Sequence, residues 1–292
     1  MAAEAVAVEQ QRGGVAAFLR ASATTAWLEY RTLRYYPSNL GLAAVQELTL
    51  GALWYFTARF LSAGADHAVR QYGGHYLAYV LVGVLVNQVG LAALGSPFTT
   101  ISEAFWDKRL ETYRLSIHGI WANVVGRLGW QVLFSTVMQG GALIVLLLLG
   151  AVSVHIGPQL ALAVLAYLLF VAANAGVGIA GASLFFLLEV KSGADPITWT
   201  YKYLVMLITG LYIPVTVLPF WVRQAGQILP QTQAFAVERA VLLTGAGLGS
   251  RLVVTSLVGL TIATGFVVLW GYLMLRMALR RAEQRGGIGV VV

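Results

Sequence analysis

Residues Gln159–Leu188 read QLALAVLAYLLFVAANAGVGIAGASLFFLL, thirty positions without one Asp, Glu, Lys or Arg. At 1.5 Å per residue such a helix extends ~45 Å, more than the ~30 Å hydrocarbon core of a bilayer. A helix that is apolar all round is buried in lipid or in a large core. The stretch therefore predicts a membrane-spanning helix long enough to tilt.

The rest of the chain agrees. Of 292 residues, 59% are hydrophobic and 11% charged, against roughly 25% charged in an ordinary soluble domain. Mean hydropathy is +0.76. A soluble globular, disordered or collagen-like chain does not have this composition. Five further segments are long and apolar enough to cross: Asn39–Leu61, His75–Leu94, Leu128–Leu149, Tyr201–Leu218 and Leu252–Leu275. The expectation is an all-α polytopic membrane protein of six transmembrane helices, with residues 38–276 as the transmembrane domain and 277–292 as a cytoplasmic tail.

Residues 1–37 form a tail and an interface segment. Glu4 and Glu9 precede any apolar stretch, which is not a signal-peptide pattern. From Val15 to Tyr36, Phe18, Ala21, Thr25, Leu28 and Thr32 recur near helical spacing. Trp27, Tyr30, Tyr35 and Tyr36 accompany them, with Arg20, Arg31 and Arg34. This pattern predicts an amphipathic helix lying in the membrane interface, ended by Pro37. A soluble flanking helix is the alternative.

Charge sets the orientation. Of 19 Lys and Arg, fourteen fall before the first span, between the second and third, around the fourth and fifth, or after the sixth. Arg59, Arg70, Arg223, Arg239 and Arg251 fall on the other side. The positive-inside rule then places both termini in the cytoplasm of an inner membrane. The same rule accounts for the net charge of +7 without nucleic acid.

Several chemistries are excluded. There is no cysteine, hence no disulfide framework, thiolate zinc site, iron–sulfur cluster or thiol nucleophile. His67, His75, His118 and His155 have no metal-motif spacing. Only Lys108, Lys191 and Lys202 are present, and none follows a glycine-rich phosphate loop. The chain therefore does not hold ATP in the Walker manner.

Three regions carry information. The cytoplasmic connection 99–127 contains the densest charge cluster, Glu103, Asp107, Lys108, Arg109, Glu111 and Arg114, interleaved with Phe105, Trp106, Leu110, Tyr113 and Ile117. Trp106, Leu110 and Tyr113 would share a helix face, which suits docking into a groove on a soluble partner. A solvated loop on the membrane fits equally. Residues Thr209–Gly247 are punctuated by Pro214, Pro219 and Pro230, with Gln224, Gln227, Gln231 and Gln233. The run Phe220–Leu229 is too short to cross, so 219–240 reads as a re-entrant helical hairpin turning at Leu229-Pro230 and shaping an external gate. A surface-lying segment is the alternative. Within the spans, Glu47 is the notable carboxylate: it lines a substrate path or is paired. Asn87, Gln88, Gln131, Gln139 and Asn174 are helix-to-helix bonding amides. Gly176-Val177-Gly178-Ile179-Ala180-Gly181 is a close-packing surface rather than a dinucleotide fingerprint, because it lies inside a span.

The stretch Thr209-Gly210, Pro214, Leu218-Pro219, Leu229-Pro230, Thr232 and Arg239 resembles the permease subunits of type-2 ABC exporters. Leu110-Glu111-Thr112, Leu115-Ser116 and Gly126-Arg127 resemble that family's first cytoplasmic element. Two departures are the missing Gly before the Thr-Leu-Glu-like element and Ile117-His118-Gly119 in place of a Pro. The resemblance implies a transmembrane subunit of an ATP-driven exporter of drugs, lipids or glycans. It implies a second permease copy or homologue, and separate ABC ATPase subunits that carry ATP and Mg while this chain holds no cofactor and is no enzyme by itself. It also assigns roles. Glu103, Trp106, Asp107, Lys108, Arg109, Glu111 and Tyr113 would couple to the ATPase, alongside Trp27, Glu29, Tyr30 and Arg31 of the interface helix. Pro214, Pro219, Phe220, Trp221 and Pro230 would shape the outer gate. Glu47, Trp54, Tyr55, Tyr201, Tyr203 and Tyr212 are candidates to face an amphiphilic substrate. An ion-coupled secondary transporter would show inverted repeats or broken helices with ion ligands, and an intramembrane lipid-modifying enzyme would show a catalytic cluster. Neither pattern is present in the sequence. A purely structural assembly subunit is a further alternative.

Overall fold

A computed structural model describes residues 14–107, 109, 113, 118–187 and 196–284. The described residues are helical and contain no strand. In chain order the α-helices are α1 (Val15–Tyr35), α2 (Pro37–Ala65), α3 (Tyr76–Trp106), α4 (Gly119–Leu148), α5 (Leu160–Leu187), α6 (Pro196–Ile208), α7 (Phe220–Ile228), α8 (Pro230–Thr244) and α9 (Arg251–Gln284). Short 3-10 segments, Asp66–Tyr72 and Val215–Val217, join α2 to α3 and precede α7.

Four helices, α3, α4, α5 and α9, are long and apolar enough to cross a membrane. The two other expected spans correspond to α2 and α6. Helix α2 is as long as these four but carries Glu47, Arg59 and several amide and hydroxyl side chains. Helix α6 has 13 residues within the described part of the chain.

The central layer is α3–α5–α9, and glycine sets its spacing. A Cβ on Gly178 of α5 would lie 2.1 Å from the Leu94 carbonyl of α3. One on Gly271 of α9 would lie 2.3 Å from the Gly176 carbonyl of α5. One on Gly90 of α3 would meet the Phe170 ring at 2.4 Å. Only glycine permits these backbone approaches, so the small-residue run 176–181 is the close-packing surface the sequence predicts. Phe170, Leu211, Phe235 and Leu260 fill one part of the core. Val69, Tyr76, Tyr79 and Leu81 fill a second, and Phe98, Ile101, Val124 and Leu275 a third.

Three expectations need correction. The fifth span does not run helically from Tyr201 to Leu218: α6 stops at Ile208. Gly210 takes a positive φ of 79°, and Pro214 has no N–H to continue a helix. The connection 99–127 is mostly helix, because α3 extends to Trp106 and α4 begins at Gly119. The buried Phe98, Ile101, Ala104, Ile120, Ala122 and Val124 explain why: the apolar pattern of the spans continues into it. Trp106 and Tyr113 do not share one helix face. Helix α3 ends at Trp106, and the Arg109 N–H turns back onto the Ala104 carbonyl at 2.9 Å. Leu110, with the coupling candidates Lys108 and Glu111, lies outside the described residues.

Candidate functional site

Helix α1 lies beside the first turns of α4. Phe18 meets His118 edge-on at 5.8 Å, and Tyr30 meets Trp130 edge-on at 5.6 Å. Residue numbers rise together, so the two helices run in the same direction. Between these contacts the backbones nearly touch. A Cβ on Gly126 would stand 2.4 Å from the Ser22 carbonyl and 2.7 Å from Thr25 Cβ. Helix α1 is thus packed onto α4, with Ser22 buried between them.

Where α1, the end of α3 and the start of α4 meet, they enclose a cavity of about 780 Å³. Thr25, Leu28 and Glu29 line it from α1, Thr100, Glu103 and Ala104 from α3, and Ala122, Asn123 and Arg127 from α4. Asp107, Arg109, Tyr113 and His118 close the side where α3 gives way to α4. Arg127 is the hub. Its Nε donates to Glu29 of α1 at 2.8 Å, and its Nη1 donates to Glu103 of α3. One guanidinium therefore holds three helices, and the planar fork of Arg suits two carboxylates in a way a Lys would not. Arg109 pairs with Asp107 at 3.3 Å, with both side chains about half-exposed or more.

The predicted coupling residues thus divide. Glu103, Asp107, Arg109, Tyr113 and Glu29 come together at the cavity. Trp106 sits at the end of α3, about half-exposed. Trp27 and Tyr30 tilt against each other at 5.3 Å, and Arg31 bonds Tyr35 within α1 at 3.4 Å. Arg127, which joins the assembly, is marked in the sequence only by the Gly126-Arg127 resemblance, which does not give its partners.

The second cluster lies around α6–α8. Leu229 is extended, with Pro230 at the first position of α8. Thr232 Oγ1 donates to the Gly226 carbonyl at 2.6 Å, and Gln233 Nε2 to that of Gln227 at 2.8 Å. These bonds close the α7–α8 corner. Pro219 precedes α7, while Phe220 and Trp221 are exposed and Arg223 lies over the Phe220 ring. Pro214 opens the 3-10 turn. Gly226 admits the Ile208 carbonyl, which a Cβ there would meet at 2.3 Å.

Helix α8 runs antiparallel to α5. Gln231 Nε2 donates to Asn174 Oδ1 at 3.1 Å, Phe235 meets Phe170 at 5.6 Å, and Glu238 acts electrostatically on Tyr167. The α7–α8 corner therefore sits midway along α5.

Arg239 is the largest fully buried side chain. Its Nε donates to the Tyr79 carbonyl at 3.0 Å, Nη1 to Gly210 at 2.8 Å and Nη2 to Leu211 at 2.7 Å. The guanidinium lies 3.5 Å over the Tyr79 ring, and Tyr79 donates its own hydroxyl to Gly210 at 2.6 Å. The bonds to Gly210 and Leu211 satisfy carbonyls freed where α6 ends, and the bond to Tyr79 ties them to α3. Arg239 is therefore an internal brace between α8, α3 and the end of α6.

Of the candidate pathway residues, Trp54, Tyr55 and Tyr212 pack against one apolar cluster, which Glu47, Tyr201 and Tyr203 do not join. Trp54 of α2 stacks on Tyr212 at 4.1 Å. Tyr55 receives a bond from Arg59 at 3.2 Å. Glu47 accepts from Gln139 of α4 at 2.9 Å. Tyr201 is bonded to Gln231, and Tyr203 is more than half exposed beside Trp199. Among the described residues no group of three or more His, Cys, Asp or Glu is placed to hold a metal.

No protein-family model matches the chain, and no curated protein matches it.

Proposed function

We propose that this chain is the transmembrane subunit of an ATP-driven exporter, of the kind the type-2 ABC permeases represent, energised by ATPase subunits on other chains. The observation that carries the reading is the Arg127 hub. It joins the interface helix to both helices that flank the charged cytoplasmic connection. A soluble subunit pressing on that connection would move α1, α3 and α4 together. The cavity beside the hub mixes the charged side chains of Glu29, Glu103, Asp107, Arg109 and Arg127 with uncharged residues such as Leu28, Ala104 and Ala122, a mixture that a folded soluble partner can match.

In this reading α2 and α6 cross the membrane with α3, α4, α5 and α9, giving six spans with both termini in the cytoplasm of an inner membrane. Helices α7 and α8 form the re-entrant hairpin, 219–240, on the outer side. The register of Gln231 with Asn174, midway along α5, supports that depth. Backbone that leaves a helix at membrane depth must be satisfied by protein, and Arg239 does so here for Gly210 and Leu211. The cargo is an amphiphilic drug, lipid or glycan, and a second permease copy or homologue completes the passage. ATP and Mg belong to the partner.

Co-expression with a Walker-type ATPase encoded beside this chain tests the reading. The ATPase is expected to co-purify, and Trp106→Ala with Arg109→Ala is expected to cut its recovery ~10-fold, or ~1.4 kcal/mol. A double variant that recovers as much ATPase as the native chain overturns the assignment of the docking surface. Failure of any ATPase to associate overturns the function.

A further inference from the structure

Helix α8 contains two charged residues, Glu238 and Arg239. They are adjacent, yet they do not pair. Arg239 turns towards Tyr79, Gly210 and Leu211, and all three of its donor nitrogens are used there. Glu238 points away from it, towards α5. Its side chain is 3% exposed, and among the described residues its Oε1 has no hydrogen-bond partner.

Among the described residues no cation pairs with Glu238, and the neighbouring Arg239 is engaged by Tyr79, Gly210 and Leu211. From α5, the titratable group within electrostatic reach is Tyr167. From α3 and the 3-10 segment before it, Tyr72, Tyr76 and Tyr79 act on Arg239 instead. The stretch Leu252–Gly265 of α9 has no titratable side chain. On α7, Arg223 lies over Phe220. An ionised carboxylate here would be a desolvated charge without a counter-ion, which interiors do not tolerate. The neutral acid is the form that this packing accepts.

The Tyr167 hydroxyl is hydrogen-bonded to Thr136 of α4, an exposed residue. Tyr167, bonded to Thr136, is thus the titratable group of α5 nearest in electrostatic terms to Glu238, without a hydrogen bond between them.

We propose that Glu238 is a proton-binding site whose occupancy holds the α7–α8 segment against α5, and whose deprotonation releases it. The step is a simple ionisation: the carboxyl O–H breaks, one proton passes to water, and the carboxylate that remains must be solvated or find a cation. Because the packed state holds the protonated form, it is favoured at low pH and weakens as pH rises through the value at which the packed carboxyl ionises. The proposal goes beyond ATP coupling and concerns the position of α8 alone, so it survives or fails independently of whether an ATPase binds.

The cysteine-free sequence gives a clean test on the full chain. A single cysteine at the buried position Ala236 reports the release of α8 through its reaction with a polar maleimide. Labelling in the Glu238 background is expected to accelerate at least ~10-fold more, between about pH 6 and about pH 9, than labelling in a Glu238→Gln background. Gln mimics the neutral acid, and its background also corrects for ionisation of the thiol itself. Equal pH profiles in the two backgrounds overturn the proposal. A second measurement needs no folded Gln variant. Infrared spectra of the native chain at neutral pH are expected to show the carbonyl stretch of a buried protonated carboxyl, displaced in Glu238→Asp. Absence of that band, or a band unchanged by Glu238→Asp, overturns it equally.

Discussion

Arg239→Ala is expected to leave almost no folded protein in a membrane extract. The truncation removes donors to the Tyr79, Gly210 and Leu211 carbonyls and empties the space over the Tyr79 ring. A buried polar group that loses its partner costs ~1–3 kcal/mol, and a large-to-small change in a packed site adds a cavity term. The combined loss, ~3–5 kcal/mol, is a large share of the ~5–15 kcal/mol that stabilises an ordinary domain. Arg239→Lys is expected to fail nearly as badly, because one ammonium cannot serve carbonyls on α3 and beyond α6 together. Gly83→Ala attacks the same brace from the other side, since its Cβ would stand 2.1 Å from Arg239 Nη2. Size-exclusion profiles and thermal unfolding in detergent check all three. An Arg239→Ala protein that melts like the native chain would show that the brace is dispensable.

Arg127→Gln is expected to separate motion from stability. The Arg127 side chain is about one-fifth exposed, and its partners Glu29 and Glu103 are more so, so water can partly replace the lost bonds. The stability cost is then modest, ~1–3 kcal/mol. The mechanical consequence is larger, because Glu29 and Glu103 would repel each other and α1 would lose its tie to α3. In the proposed complex with an ATPase, the substrate-stimulated part of ATP hydrolysis is expected to fall at least ~10-fold, ~1.4 kcal/mol. Glu29→Gln and Glu103→Gln each leave one bridge in place and are expected to fall between native and Arg127→Gln. ATPase assays on proteoliposomes with the four proteins check the order.

The legible parts of the fold are those with long-range pattern. Gln159–Leu188 and Leu252–Leu275 are long apolar runs without a charge, and α5 (Leu160–Leu187) and α9 (Arg251–Gln284) lie over them. The small-residue run 176–181 reads correctly as a packing surface because glycine spacing has one physical use inside a span. The prolines of 214–230 locate the breaks, since proline lacks a donor wherever it stands. The helical continuation of α3 to Trp106 was hidden because charges at Glu103 and Asp107 look like a loop in composition. They lie on the cavity side, while Phe98 and Ile101 keep the other side buried. Arg127, Arg239 and Glu238 were not legible as a hub, a brace and a lone acid, because each role depends on which neighbour a helix rotation presents. One signal was available for the last two: adjacent opposite charges in an otherwise uncharged helix that follows Leu-Pro.

The central claim is that a separate ATPase drives this passage by moving the Arg127-linked helices. Its most direct test is the labelling rate of a cysteine at Ser22, buried between α1 and α4, in the purified complex, with and without vanadate-trapped nucleotide at constant pH. The account predicts a change of several-fold, at least ~3-fold or ~0.6 kcal/mol, that disappears in Arg127→Gln. An ATP-hydrolysing complex whose labelling rate is the same with and without trapped nucleotide would contradict it.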